Sequence, residues 1–196
     1  SPNLASALLM ALVAALGTPV LVAYSVLTRI FGLLQCPIMG IGLGAATIVG
    51  QSLGAARPQR ATQATMQGIG LAVATALLLF GLLNLWPEFG LRRFTQDPAV
   101  IAVGIQGVRY TLGWGVAAAI ATVALCTLEG AGDTLSTTVV QIISLWLVQL
   151  PLCWLLPRLF GLGSSGIWLA FFLTQCTNAA ALFWRFRVGR WQGVRI

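Results

Sequence analysis

Four carboxylates, Glu88, Asp97, Glu129 and Asp133, are the only acidic groups in this chain, and it has no histidine at all. Without imidazole, no Ser/His/Asp or Cys/His arrangement can activate a nucleophile, so an enzyme is disfavoured. The four cysteines, Cys36, Cys126, Cys153 and Cys176, lie inside apolar runs without C-x-x-C spacing. They read as small hydrophobes rather than as disulfides or metal ligands, and neither a metal nor a cofactor is called for. Gly161–Gly166 matches the G-x-G-x-x-G pattern in form. A dinucleotide site would also need a preceding strand and an acidic residue about 20 positions later, and no acidic residue follows Asp133. The segment reads as a loop.

All four carboxylates fall in loops or at helix ends, where capping and solvation are their expected roles, with Asp97 and Asp133 each opening a helix. Proton- or cation-coupled transport usually requires an ionisable group inside a bundle, so any such carboxylate must lie outside this chain. Neutral polar residues do occur deep in the apolar runs: Gln35, Gln141, Gln149, Gln175 and Asn178. Hydrogen bonding between helices is their default role. Gln35, Gln149 and Asn178 are the candidates for lining a substrate pathway. Arg29 and Arg109 each fall about 10 residues, or ~15 Å, inside a helix, where snorkelling to the outer interface is favoured over lining a pathway.

The elements that must position these groups follow from composition. The chain has 196 residues, is 58% hydrophobic and 8% charged, and has a mean hydropathy of +0.92. A soluble domain carries about 25% charged residues, so this is an all-α polytopic membrane protein, since spanning helices satisfy their own backbone groups. The net charge of +7 comes from arginines placed between apolar runs, which indicates loop anchoring rather than nucleic-acid binding. The runs divide into helices at about 4–16, 20–54, 58–85, 98–128, 134–156 and 167–186, with Gly17-Thr18-Pro19 as a stop-and-restart signal. The first is only ~20 Å long, too short for the ~30 Å hydrocarbon core, leaving five full spans and a truncated one. Pro37 is a natural kink in the second helix. The start at Ser-Pro-Asn, with no basic segment before the apolar run, is expected of a piece of a longer protein and not of a signal peptide.

Gly42, Ala46, Gly50 and Gly54 recur every four residues, with Gly40 and Gly44 as a neighbouring ridge. Such a stripe lets helices pack closely in lipid. Arg57, Arg60, Arg185, Arg187, Arg190 and Arg195 fall on one side of the membrane and Arg92, Arg93 and Arg158 on the other. The excess puts the C-terminus in the cytoplasm of a multi-pass protein of the cell (inner) membrane.

Two stretches carry a family resemblance. Val49–Ala61 is similar to the G-Q-x-L-G-A-x-x-x-x-x-A element that ends a helix in the multidrug and toxic compound extrusion (MATE) transporters, and Leu128–Thr134 resembles that family's L-x-G-A-G-D-T turn. Leu150-Pro151-Leu152, Gly161-Leu162, Gly166-Ile167-Trp168 and the segment Trp184–Trp191 support them in order and spacing. The order resembles the second half of such a transporter. The resemblance implies two six-helix bundles related by a pseudo-two-fold along the membrane normal, with residues 1–196 as the C-terminal bundle and one wall of a central cavity. It implies export of cationic, often aromatic drugs or metabolites by antiport with Na⁺ or H⁺. The implied partners are the lipid bilayer, a small-molecule substrate, the coupling ion and the missing N-terminal bundle, with no nucleic acid. Since Pro98–Leu128 has no acidic residue, coupling is expected in the first bundle. A flippase for a lipid-linked precursor on a similar fold, and a non-transporting assembly subunit, are the rival readings.

Overall fold

The computed structural model of the protein describes residues 2–14, 17–159 and 163–189, all of them in helices and short turns. The helices are α1 (Pro2–Ala14), α2 (Thr18–Gly54), α3 (Pro58–Leu85), α4 (Pro87–Arg92), α5 (Pro98–Gly130), α6 (Thr134–Ile143), a π-helical segment (Ser144–Gln149), α7 (Leu150–Leu159) and α8 (Gly163–Val188). Five stretches are long and apolar enough to cross a membrane: Thr18–Gly54, Pro58–Leu85, Pro98–Gly130, Thr134–Pro157 and Ser164–Val188. α1, at 13 described residues, spans only about 20 Å at ~1.5 Å per residue.

α5 is the centre of the bundle, packed against α2, α3 and α8. Its run of small residues explains why. Ala117, Ala118, Ala119, Ala121 and Ala124 are all buried and let neighbours approach from several sides. At one end of the bundle, Val49, Leu128, Leu182 and Phe186 close the core; at the other, Leu27, Leu91, Val108 and Trp168 do. α1 rests on α7 and α8 through Leu9, Cys153, Leu156 and Ala170.

The turns at the Val49–Leu128 end share one geometry. After α2, Ala56 N–H donates to the Leu53 carbonyl at 2.9 Å and Arg57 N–H to the Ser52 carbonyl at 2.8 Å. After α5, Gly132 N–H donates to Glu129 and Asp133 N–H to Leu128, both at 2.9 Å. These paired bonds absorb the last carbonyls of each helix and require a left-handed residue between them. Gly132 takes that conformation without cost at φ 86°, whereas Ala56 holds it at φ 56° against its own Cβ.

The small-residue stripe is used over part of its length. A Cβ on Gly42 would sit 3.0 Å from Cys126 Sγ, and one on Gly50 3.3 Å from the Gly130 carbonyl oxygen. A Cβ on Gly130 would in turn meet the Ala46 carbonyl oxygen at 2.8 Å. Gly42, Ala46 and Gly50 therefore form a backbone-to-backbone seam with the last turns of α5. Gly54 does not belong to it: among the described residues nothing lies within 4 Å of its Cβ position, and the same holds for Gly40 and Gly44. α2 and α5 run side by side from Leu27–Gly107 to Gly50–Gly130, and α5 ends there, so Gly54 lies one turn beyond its last residue.

Four other expectations are corrected. The loop after Trp86 contains a short helix, α4, held by Pro87 in its first turn and a Glu88–Arg92 pair at 3.1 Å. The segment expected as a loop from Pro157 to Gly166 is helical up to Leu159 and again from Gly163; residues 160–162, with Gly161 and Leu162, lie outside the described residues. So do Arg190 and Arg195. The fifth span is interrupted by the π segment, which ends two residues before Pro151. A proline ring clashes with the carbonyl one turn back, here Leu147, and widening that turn relieves the clash. Finally, Asp133 starts α6 without capping it. Its Oδ2 instead accepts from Arg185 Nε and Nη2, each at 2.9 Å, tying the α5–α6 turn to the end of α8.

Candidate functional site

The face of α2 that turns toward α5 and α8 carries Tyr24, Thr28, Phe31 and Gln35, spaced four, three and four apart, so one side of the helix presents them all. On α8, Trp168, Phe171, Gln175 and Asn178 follow the same helical spacing. The structure sets these two faces around two hollows.

The first is a cavity of about 290 Å³ lined by Tyr24, Thr28, Phe31, Gly32, Gln35, Trp114, Trp168 and Phe171. Its walls are aromatic. Phe31 stacks on Trp114 with centroids 4.9 Å apart, and the buried Phe80 meets both rings edge-on at 6.1 and 5.8 Å. Tyr24 lies 5.7 Å from Phe171 and 6.5 Å from Trp168. Gln35 Nε2 donates to Thr122 Oγ1 on α5 at 2.8 Å, the interhelical role expected by default. Gln35 Oε1 and Trp168 Nε1 are buried without a partner. Among the described residues, no acidic or basic side chain lines this cavity.

The second hollow, about 510 Å³, lies between α6, the π segment and α8 and carries more polar side chains than the first, beside Ile142, Leu145 and Trp146. Thr138, Gln141, Ser144, Gln149, Thr174, Gln175 and Asn178 all line it. Ser144 Oγ donates to Asn178 Oδ1 at 3.4 Å. π turns recur where a helix must turn side chains toward a site, and this one ends on Gln149.

The three pathway candidates thus separate. Gln149 and Asn178 share the polar groove, with Gln141 and Gln175 beside them, while Gln35 lines the aromatic cavity. Arg29 and Arg109 are exposed and line neither hollow. Of the aromatic walls, Tyr24, Phe31, Trp114 and Phe171 have no part in the sequence expectations, and Trp168 enters there only through the Gly166-Ile167-Trp168 motif. The helical spacing of Tyr24, Thr28, Phe31 and Gln35 was the signal available. Among the described residues, no three His, Cys, Asp or Glu side chains gather as a metal site. Asp97 caps α5, its Oδ1 accepting from Ala99 N–H at 2.9 Å, and Glu129 is exposed.

The MatE family profile matches residues 2–155 of this chain. The chain belongs to the MatE family. Among curated relatives, the probable multidrug resistance protein NorM of Caulobacter vibrioides is 30% identical over 173 residues, covering 87% of this chain and 36% of that protein. The protein of the same description from Bradyrhizobium diazoefficiens is 29% identical over 188 residues, covering 93% and 40%. This MatE chain therefore spans well under half the length of such relatives. Among solved structures, an outward-facing multidrug resistance MATE transporter of the MOP superfamily superposes with a TM-score of 0.88 at 17% identity, covering 98% of this chain and 44% of that one. A MATE structure in the bent conformation gives 0.86 at 16% identity. The likeness to these structures establishes the MATE fold for the bundle. It is a multi-pass bundle for a lipid bilayer, from a family of membrane transporters rather than enzymes.

Proposed function

We propose that residues 1–196 form the C-terminal six-helix bundle of a secondary exporter that expels cationic drugs or metabolites by antiport with Na⁺ or H⁺. Membership of the MatE family and the order of the motifs from Val49–Ala61 to Trp184–Trp191 support this placement. The observation that carries the export reading is the aromatic cavity between α2, α5 and α8, a wall suited to flat, partly apolar molecules. A second, N-terminal bundle would supply the opposite wall, and rocking of one bundle against the other would expose the cavity to each side in turn.

The coupling carboxylate belongs to that other bundle in this reading. Asp97, Glu129 and Asp133 stand at the ends of α5 and α6, and Asp133 is already paired with Arg185. The arginine excess on the Arg57–Arg185 side supports a cytoplasmic C-terminus in the inner membrane. A flippase for a lipid-linked precursor would need basic groups facing the cavity, and Arg29 and Arg109 lie outside it.

Export is tested in cells lacking their own efflux pumps and expressing the full-length protein, loaded with a fluorescent aromatic cation. Faster loss of dye than from control cells is expected. Equal loss across a panel of such dyes would overturn the reading.

A further inference from the structure

Arg60, Gln63 and Gln67 follow one another along α3 at spacings of three and four, which puts all three on one face of the helix. All three are exposed. Among the described residues, none of their side chains has a hydrogen-bond or ion-pair partner. The 28 residues of α3 extend about 42 Å at ~1.5 Å per residue, close to the ~40–45 Å of a bilayer with its headgroups. Arg60 then lies at headgroup level, Gln63 about 5 Å deeper and Gln67 about 10 Å deeper, inside the hydrocarbon edge. An arginine alone at that level is an ordinary interfacial anchor. Two exposed amides descending below it are not, because an amide among acyl chains is costly until something accepts its hydrogen bond.

The same three residues line one hollow of about 520 Å³ between α2 and α3. Small residues keep its floor low. A Cβ on Gly68 would sit 3.1 Å from Ala45 Cβ, whereas one on Gly44 would meet no described atom within 4 Å. Ile48 lies toward the Arg60 end, and Ile41 and Leu71 close the deep end with apolar surface. Arg57, also exposed, lies one helical turn before Arg60, and among the described residues no acidic side chain lines the hollow. The groove is therefore cationic at the membrane surface, hydrogen-bonding below it and apolar at depth.

We propose that the α2–α3 groove is a binding site for one phospholipid with an anionic headgroup. Its phosphate is held by Arg60, its ester carbonyls accept from the Gln63 and Gln67 amides, and its acyl chains lie over Gly44 toward Ile41 and Leu71. The order of groups along such a lipid, anion then ester then hydrocarbon, is the order of the side chains along the groove. Basic pockets between spanning helices recognise headgroups of this kind. The groove shares no lining residue with the aromatic cavity or the polar groove, so the site stands whether or not the bundle exports a cation.

The test uses the full-length protein in phosphatidylcholine vesicles containing a trace of phosphatidylglycerol with a photoreactive diazirine near the ester end of one acyl chain. After illumination, peptide mass spectrometry should find the label within residues 41–48 and 63–71. Phosphatidylcholine carrying the same diazirine should label them about fivefold less, and Arg60→Gln should remove that difference, which is what one basic group contributes at a membrane surface. Gln67→Leu should lower labelling by both lipids about threefold, since both carry ester carbonyls. Gly44→Leu fills the floor without meeting another residue, so it should abolish labelling in a protein that still melts with the wild type. Equal labelling by the two headgroups, a preference that survives Arg60→Gln, or unchanged labelling in Gln67→Leu would each overturn the proposal. So would the absence of label at these residues, the result expected if the N-terminal bundle or a second copy covers the groove.

Discussion

Gly130→Ala is the substitution that probes the bundle most sharply. The new methyl would lie 2.8 Å from the Ala46 carbonyl oxygen and 3.1 Å from Ala46 Cα, both backbone atoms of α2 that cannot swing aside. Carbon contacts are favourable near 3.5–4.0 Å, so the helices must part by roughly 0.5–1 Å along the Gly42–Ala46–Gly50 seam. A gap of that size forfeits about a quarter to a half of the dispersion energy of the atoms facing it. Overpacking of this kind costs about 1–3 kcal/mol. The helix propensity gained by replacing glycine with alanine returns about 0.5–1 kcal/mol at most, and less at the last helical residue. A net loss of about 1–2 kcal/mol remains. Gly54→Ala is the matched control, since it also exchanges a glycine at a helix end for alanine but meets nothing within 4 Å. In thermal unfolding of the full-length protein in one detergent, Gly130→Ala should lower the midpoint by about 1–2 °C, at about 1 °C per kcal/mol for a chain more than twice as long as this one. Gly54→Ala should leave it unchanged or raise it slightly. A Gly130→Ala protein that melts with the wild type, or a Gly54→Ala protein that falls as far, would refute the seam.

Two other outcomes follow from the turns at the same end. Asp133 is 8% exposed and Arg185 25%, so removing either should cost about 2–3 kcal/mol, and a double-mutant cycle should give a coupling above ~1 kcal/mol. The Glu88–Arg92 pair, 58–68% exposed, should give at most ~0.5 kcal/mol in the same cycle. Ala56→Gly should stabilise by up to about 1 kcal/mol, because relief of ~1–2 kcal/mol of left-handed strain outweighs the ~0.4–1 kcal/mol entropic cost of glycine. An unfolding midpoint below that of the wild type would contradict that balance.

Class and span count were legible because hydropathy is a property of local sequence: apolar runs between Gly17, Pro58, Pro98 and Thr134 leave few ways to cut the chain. The features that were missed depend on distant partners or on geometry between helices. Asp133 precedes a helix as a cap would, but Arg185, fifty-two positions later, takes its carboxylate. Gly54 continues a perfect period of four, yet α5 ends at Gly130, opposite Gly50. Gln35 was legible as a buried amide. That it faces an aromatic chamber was not, because Trp114 and Trp168 reach it from other helices. The π segment had a local signal in Pro151, which a reading by hydropathy alone passes over.

In the proposed reading this bundle is half of an ion-coupled exporter. The full-length protein in proteoliposomes, loaded with a fluorescent aromatic cation and given an inward Na⁺ gradient or an inward proton gradient separately, tests it most directly. Dye efflux that one of the two gradients drives, and that stops when that gradient is collapsed, is expected. Dye movement that neither gradient accelerates, or none at all in vesicles shown to contain folded protein, would contradict it.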